Sequence, residues 1–552
     1  MKNKIISVSI VVMALMLQGC DSFTEPNFVP EFPWPTVDQF EMAVIVPYSV
    51  GQGGWSNNMG IMSFYEMLAT DVSSVVNQAA PNNEWPAFVS RAHRQWDHSS
   101  LNWISGTYPN IFRAIAGCNE GISYLEKDDW QVLFPRDTKE KIDANIPRAK
   151  AELYFWRAMS YYWATLLFCP PYNPGGANDD RILPLKITNA DPQNTPIGST
   201  REVIDQMISD LKDAKALMPQ SYYRSGRINY WTICGLLARI YFYTGDFSNA
   251  EKECTEIINH YNPMGLPDDP LAVWTVAMGQ QEPVNEAMWM FNTNTYGHQC
   301  WAWTVVGRAD AWQTGGGRGE NSQITWCACK LSNSMIKKLG WMVDPENGDF
   351  SETDLARADK RYGRHNLDRD NRVTWWRVEA WKANADVKAE IEETGDVTLW
   401  DKYQQHHNQE LDPMIYVDKY FRTPNCQFQN QPQMRVPEFY IMRSAIRNKN
   451  NDKAGAAADL KVVRDRAGLT GQYELTAATI NEDEIMNEMV RETAGESLYL
   501  LFTVALQRPI FPGDRKGTGN VNPPYSGWYW KIPVNEVNTN AGYIDIPDPN
   551  AK

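Results

Sequence analysis

The residues best suited to chemistry in this 552-residue chain are aromatic and amide side chains in two stretches without helical rhythm. Residues 71–100 contribute four candidates: Asp71, Trp85, Arg91 and Trp96. Residues 292–326 are denser and contribute seven: Tyr296, Trp301, Trp303, Trp312, Gln313, Asn321 and Trp326. Trp301 and Trp303 are two positions apart, so on an extended segment their rings lie on one face.

Side chains of these types suit the binding of a neutral sugar. A sugar ring has flat C–H faces on which aromatic rings stack, and a rim of hydroxyls that bond to amides, carboxylates and guanidinium groups. Any single Trp more often packs beneath a long loop, but for the group we expect at least one ligand contact. The two stretches therefore predict a carbohydrate-contact surface built on loops.

Motifs for catalysis or metal binding are missing from the sequence. No spacing singles out a glycosidase pair among the 67 acidic residues, and no Ser/His/Asp elbow, Cys/His pair or zinc motif occurs. Residues 344–349 are rich in oxygen ligands but lack the spacing and the closing Glu of an EF-hand. We expect no enzyme, no cofactor and no metal; a surface glycosidase remains the less favoured alternative.

Composition narrows the possible partners. The net charge of −15 and the absence of a basic stripe argue against nucleic acid. Beyond Cys20 the chain has eight cysteines without a CxxC pair; Cys327 and Cys329 have no assigned role. The other cysteines on apolar helical patterns are expected to be buried free thiols: Cys118, Cys169, Cys234 and Cys254.

The N-terminus reads as a lipoprotein leader. Residues 1–19 begin with two lysines and continue with an apolar stretch too short to span a bilayer stably. Leu17-Gln18-Gly19-Cys20 resembles a lipobox, which predicts lipidation of Cys20. Several acyl chains would anchor the protein to a membrane. Residues 20–35 are then a proline-punctuated tether.

The elements that must position the candidate residues are mostly helices. Residues 148–172 carry two adjoining apolar stripes and end at Pro170 and Pro171, which predicts a helix inside a helical domain. Residues 226–259 form a helical hairpin with Gly245 in its turn and Asp246 capping the second helix. Further helices are predicted at residues 36–46, 101–125, 199–218, 333–339 and 481–502, and helical pattern resumes at Val436.

Several of these segments resemble motifs of one family. The helix at 148–166 is similar to R-A-E-x-x-F-x-R-A-x-x-Y-x-x-L, and residues 226–250 are similar to G-R-x-x-x-x-A-x-x-L-L-A-R-x-Y-x-Y-x-G-D-x-x-x-A. Residues 456–469 and 532–538 resemble A-x-x-x-L-x-x-V-R-x-R-A-G-L and I-P-x-x-E-x-x-x-N. In this order they are typical of the SusD/RagB family, the nutrient-binding outer-membrane lipoproteins of Bacteroidetes.

The resemblance implies a mostly α fold, in which a tetratricopeptide-repeat-like helical scaffold carries a loop-rich insertion with short strands. One domain would span residues 36–552. Its scaffold would cover about residues 36–260 and 436–505, and the ligand face about 263–435 with the C-terminal 506–552. Structural roles are implied for Asn119 and for the charged residues of the 481–502 helix.

The resemblance also implies a function. A lipid-anchored protein facing the cell exterior would capture glycans and pass them to a SusC-like TonB-dependent transporter, as a lid over its mouth. The alternative keeps the fold and replaces the glycan by a peptide, as in RagB-like proteins.

Overall fold

The structure is a computed structural model. It describes residues 34–52, 70–75, 102–189, 195–270, 272–274, 286–291, 329–362, 376–379, 393, 414–417, 431–514, 519–525, 529–544 and 546. Within these ranges no helix is both long enough and apolar enough to cross a membrane.

Helices dominate the described chain, as the sequence predicts. They are α1 (Val37–Gln52), α2 (Asn102–Leu125), α3 (Trp130–Leu133), α4 (Lys139–Phe168), α5 (Thr200–Leu217), α6 (Tyr230–Tyr243), α7 (Phe247–Tyr261), α8 (Asn333–Lys338), α9 (Asp354–Ala358), α10 (Val436–Lys449), α11 (Lys453–Arg466), α12 (Glu482–Thr493), α13 (Tyr499–Ala505) and α14 (Val534–Thr539). The predicted mostly α class is confirmed.

The long helices form a stack in which each packs on the next. The order is α1, α2, α4, α5, α6, α7, α10 and α11. The step from α7 to α10 passes over more than 170 residues of sequence, so the stack continues as if residues 262–435 were inserted into it. α12 packs on α10, and α13 on α6 and α12. One hydrophobic core runs through these helices.

The central helix α4 lies inside this core, and almost every side chain from Arg148 to Phe168 is buried. It ends at Phe168 with Cys169 as its C-cap, before the predicted proline pair. Its beginning differs from the prediction, because the helix starts at Lys139 with Thr138 as N-cap. The helix continues through Pro147 with the loss of one backbone hydrogen bond.

The helical hairpin of α6 and α7 has the predicted turn. Gly245 has φ +80°, a left-handed conformation that glycine adopts without strain. The Asp246 carboxylate accepts a hydrogen bond from the Asn249 amide at 3.2 Å and caps α7. The four helical cysteines are buried and free, as predicted: Cys118, Cys169, Cys234 and Cys254.

The predicted helix at 481–502 is wrong in its middle. The chain forms α12 and α13 with a tight turn between them, in which Gly495 and Ser497 have φ +78° and +66°. Arg435 donates to the Glu492 carbonyl at 3.0 Å and to the Glu496 carboxylate at 2.6 Å. The Arg435 guanidinium thus provides a hydrogen-bond donor for a C-terminal carbonyl of α12. This carbonyl therefore does not need a further helical turn to be satisfied.

Short antiparallel strand pairs accompany the helices in the described fold, and three of these five pairs lie wholly within residues 263–435, the predicted loop-rich part. The strands are β1 (Ser73–Val75), β2 (Arg181–Pro184), β3 (Ile197–Ser199), β4 (Ala287–Phe291), β5 (Cys329–Leu331), β6 (Met342–Asp344), β7 (Asp349–Glu352), β8 (Trp376–Glu379), β9 (Met414–Val417) and β10 (Gln431–Arg435). The pairs are β1 with β5, β2 with β3, β4 with β10, β6 with β7, and β8 with β9.

The β4–β10 pair is the neck between scaffold and insertion. β10 runs directly into α10, and the Val436 amide donates to the Glu286 carbonyl at 2.9 Å. The Asn229 side chain, which caps α6, donates to the Met288 carbonyl at 2.9 Å. Chain entering and leaving residues 292–430 therefore passes through one strand pair fixed to the scaffold.

Candidate functional site

Each of the two aromatic-rich stretches has one end at the β1–β5 pair. Val75 is the last residue of β1 before residues 76–100, and Cys329 is the first residue of β5 after residues 292–328. The register pairs Val75 with Cys329 directly. Residues 76–100 therefore begin, and residues 292–328 end, at directly opposed positions. We call this strand pair the loop base. β9 lies beside β5 at this base.

Asp71 holds the loop base together from beneath. Its carboxylate is fully buried and accepts from the Tyr499 hydroxyl at 2.9 Å and from Lys338 Nζ at 2.7 Å. Its carbonyl accepts from the Ser332 hydroxyl at 2.5 Å. Lys338 Nζ also lies 4.2 Å from the Phe511 ring centroid. The start of β1, the helix α8 and the scaffold helix α13 therefore meet at one carboxylate.

The helix α8 is fixed at its N-terminus by two further groups. The Ser332 hydroxyl accepts from the Met335 amide at 3.0 Å. The Asp514 carboxylate accepts from the Asn333 and Ser334 amides at 2.7 and 3.1 Å. Both oxygens act where a helix has unsatisfied amides, so this end is locked to the loop after α13.

A buried ionic network joins this part of the insertion to the scaffold. We define it as five arginines and five carboxylates: Arg361, Arg435, Arg464, Arg466, Arg491, Glu286, Asp359, Glu488, Glu492 and Glu496. Arg361 Nη1 lies 2.7 Å from Glu488 and 3.1 Å from Glu492 of α12. Equal numbers of opposite charges make burial tolerable, because each charge has partners in place of water.

The network sets the pKa values of its carboxylates in opposite directions. Burial alone would raise the pKa of Glu488, but Arg361, Arg464 and Arg491 lower it far below the ordinary range. The pKa of Glu492 is also lowered by its arginines against the effect of burial. For Glu286 burial dominates, and its pKa is raised although Arg435 and Arg466 act against this.

Backbone bonds complete the attachment of the insertion. Arg491 donates to the Leu339 carbonyl through Nε at 3.0 Å and through Nη2 at 2.6 Å. The Lys360 amide donates to the Ala467 carbonyl at 2.8 Å. The end of α8 and the end of α9 are thus each bound to a scaffold helix, which makes the loop base a rigid support.

Of the candidate residues from the sequence, only Asp71 lies in the described part of the chain. Its contacts are those of a residue that positions the loops from below. The others lie outside the described residues: Trp85, Arg91, Trp96, Tyr296, Trp301, Trp303, Trp312, Gln313, Asn321 and Trp326, and Cys20 at the lipobox. Sequence reasoning missed Tyr499 and Lys338, because their link to Asp71 spans 428 and 267 positions.

Two clusters of possible metal-ligand residues in the described chain each contain a lysine. Cys234, Glu253 and Glu256 have ligand atoms within 4.8 Å of one another. Lys215 Nζ lies 2.8 Å from Glu253 and 2.9 Å from Glu256. In the oxygen-rich stretch at 344–349, Lys337 Nζ lies 2.8 Å from Asp344. In each cluster an ammonium group is therefore paired with the carboxylates.

The fold defines a class of protein, a tetratricopeptide-like helical stack interrupted by a loop-rich insertion. Residues 56–242 match the SusD-like family described as "Starch-binding associating with outer membrane", and residues 285–499 match the SusD family. The two matches follow each other along the chain, and the second includes both strands of the neck. The chain belongs to the SusD/RagB family, as the sequence motifs predict.

Individual relatives agree in fold at low identity. A "SusD-like protein P2" of Formosa agariphila is 23% identical over 269 residues, and the match spans about half of each chain, 48%. A SusD superfamily protein of Bacteroides thetaiotaomicron is 17% identical with a TM-score of 0.66, covering 92% of this chain and 98% of that chain. Surface glycan-binding protein A of the same species, in complex with laminarihexaose, is 16% identical with a TM-score of 0.62, covering 93% and 100%.

Proposed function

We propose that this protein binds oligosaccharides or polysaccharides and delivers them to a SusC-like TonB-dependent transporter, without catalysing a reaction. The glycan would contact aromatic side chains of residues 76–100 and 292–328. The relative described with laminarihexaose supports a β-glucan among the ligands to be tested. Cys20, lipidated, would anchor the protein to the outer membrane with its ligand face toward the exterior.

The observation that carries this proposal is the register of the loop base. Val75 and Cys329 are opposed, so the two stretches that contain ten of the eleven candidate residues each have one end at the same strand pair. A sugar site needs ring faces and amide groups from different segments at fixed separation. A shared attachment point for one end of each segment supports that arrangement.

The test is affinity electrophoresis of residues 21–552 in gels cast with polysaccharides, beginning with laminarin. We expect one polymer to slow migration by specific binding, and Trp301→Ala or Trp312→Ala to weaken that effect at least tenfold in apparent affinity. Stacked rings contribute about 1–3 kcal/mol each to ligands with apolar faces, which corresponds to that change. Tyr223→Ala is the control, because Tyr223 is an exposed aromatic residue before α6 and away from the loop base.

The outcome separates the alternatives. Retardation without release of reducing sugar supports glycan capture. Release of reducing sugar would identify a glycosidase instead. If no polymer slows migration while peptides bind, the ligand class of the proposal is wrong and the RagB-like alternative replaces it. Equal loss of retardation in Tyr223→Ala would place the site on the helical stack.

A further inference from the structure

We draw no further inference here: the strongest candidate, the partly exposed aromatic cluster of Tyr230, Trp231 and His260 at the open end of the α6–α7 hairpin, has rings that pack on one another, and nothing in the described part of the chain shows what would cover it.

Discussion

At the scale of single residues, arginine–carboxylate pairs join different helices of the scaffold. The pairs are Arg148 with Glu41, Arg157 with Asp210, Arg239 with Glu438, Arg443 with Asp459 and Arg464 with Glu488. Most are bidentate or have a second partner, and nearly all are buried. A buried pair adds little net stability over apolar residues, but loss of one partner leaves an uncompensated charge. These residues therefore fix how the helices align more than how tightly they pack.

Two glutamates of the buried ionic network should differ in how strongly neutralisation destabilises the protein. At pH 7 we expect Glu488→Gln to lower the free energy of unfolding by about 3–5 kcal/mol, because Arg464 and Arg491 lose their carboxylate partner. Glu286→Gln should change it by less than about 1.5 kcal/mol. Its arginines keep Glu492, and burial already disfavours its charge. Urea unfolding at constant salt measures both.

The pH dependence gives the sign of each effect. Glutamine imitates a protonated carboxyl, so both variants should approach the wild type in acid. Glu488 has a pKa below its ordinary 4.5, so the wild type loses its advantage over Glu488→Gln as pH falls below that value. Glu286 has a raised pKa, so Glu286→Gln should gain relative stability as pH rises through 4.5. Parallel stability curves for the two variants would contradict this assignment.

The hydroxyl of Tyr499 should matter for the loop base. Tyr499→Phe removes a donor to Asp71 and leaves one buried carboxylate oxygen without that bond, which costs about 1–3 kcal/mol. Thermal unfolding measures this loss. Tyr543→Phe is the matched control, because its buried hydroxyl donates to the Ile182 carbonyl at 2.7 Å, away from the base. We expect glycan retardation to weaken only in Tyr499→Phe.

Residue types could be predicted from sequence, but their pairings could not. The motifs indicate structural roles for Asn119, Glu492 and Glu496, and the structure gives them partners. Arg435 and Glu286, however, are 149 positions apart, and only the β4–β10 register brings them together. Asp71 is a second example. Its sequence neighbourhood favours a ligand role, but its buried contacts are with residues distant in sequence.

At the scale of elements, caps and turns were the reliable signals. Ser199 caps α5 and forms a capping box with Glu202, and Gly245 and Asp246 shape the hairpin as predicted. Helix boundaries that fall inside a continuous helical pattern were not predicted reliably. α1 runs six residues beyond the predicted Val46 through Pro47, and the turn after α12 depends on Arg435 from another element. Local sequence specifies where a helix can end, and tertiary contacts decide whether it does.

Gly235 in α6 should be required for the neck. Alanine normally improves a helix by about 1 kcal/mol over glycine. Here a Cβ would lie 2.8 Å from the Phe439 ring and closer still to Met434 Sδ, so Gly235→Ala should destabilise by about 1–3 kcal/mol. Thermal and urea unfolding measure the change.

A matched glycine and a second-site change test the cause. Gly117→Ala in α2 meets only ordinary contact with Val46 and should stabilise by about 0.5–1 kcal/mol. In a double-mutant cycle, Gly235→Ala should cost less in a Met434→Ala background than in the wild type, because Met434→Ala removes the nearer obstruction. Stabilisation by Gly235→Ala alone would mean that β10 does not press on α6.

At the scale of the whole molecule, the stacked helices from α1 to α7 could be predicted because they are periodic and close in sequence. The continuation of the stack into α10 and α11 was implied only by the family resemblance. Sequence reasoning also identified the insertion, by its loss of helical rhythm. Its attachment could not be predicted, since the neck, the loop base and the ionic network each combine residues from several elements. The division into scaffold and ligand face, and the ligand residues themselves, remain predictions.

The ionic network should couple the insertion to ligand binding. Arg361→Met removes the guanidinium that links Asp359 to Glu488 and Glu492, at a cost of about 3 kcal/mol or more. Arg443→Met breaks a buried bidentate pair with Asp459 inside the stack, and among the described residues its other hydrogen-bond partner is Thr255 of α7. Both should lower the thermal midpoint. At a temperature where circular dichroism reports native helix in both, we expect only Arg361→Met to lose polysaccharide retardation, because its loop base is no longer held against α12. Equal retention of binding would mean that the loops keep their arrangement without the network.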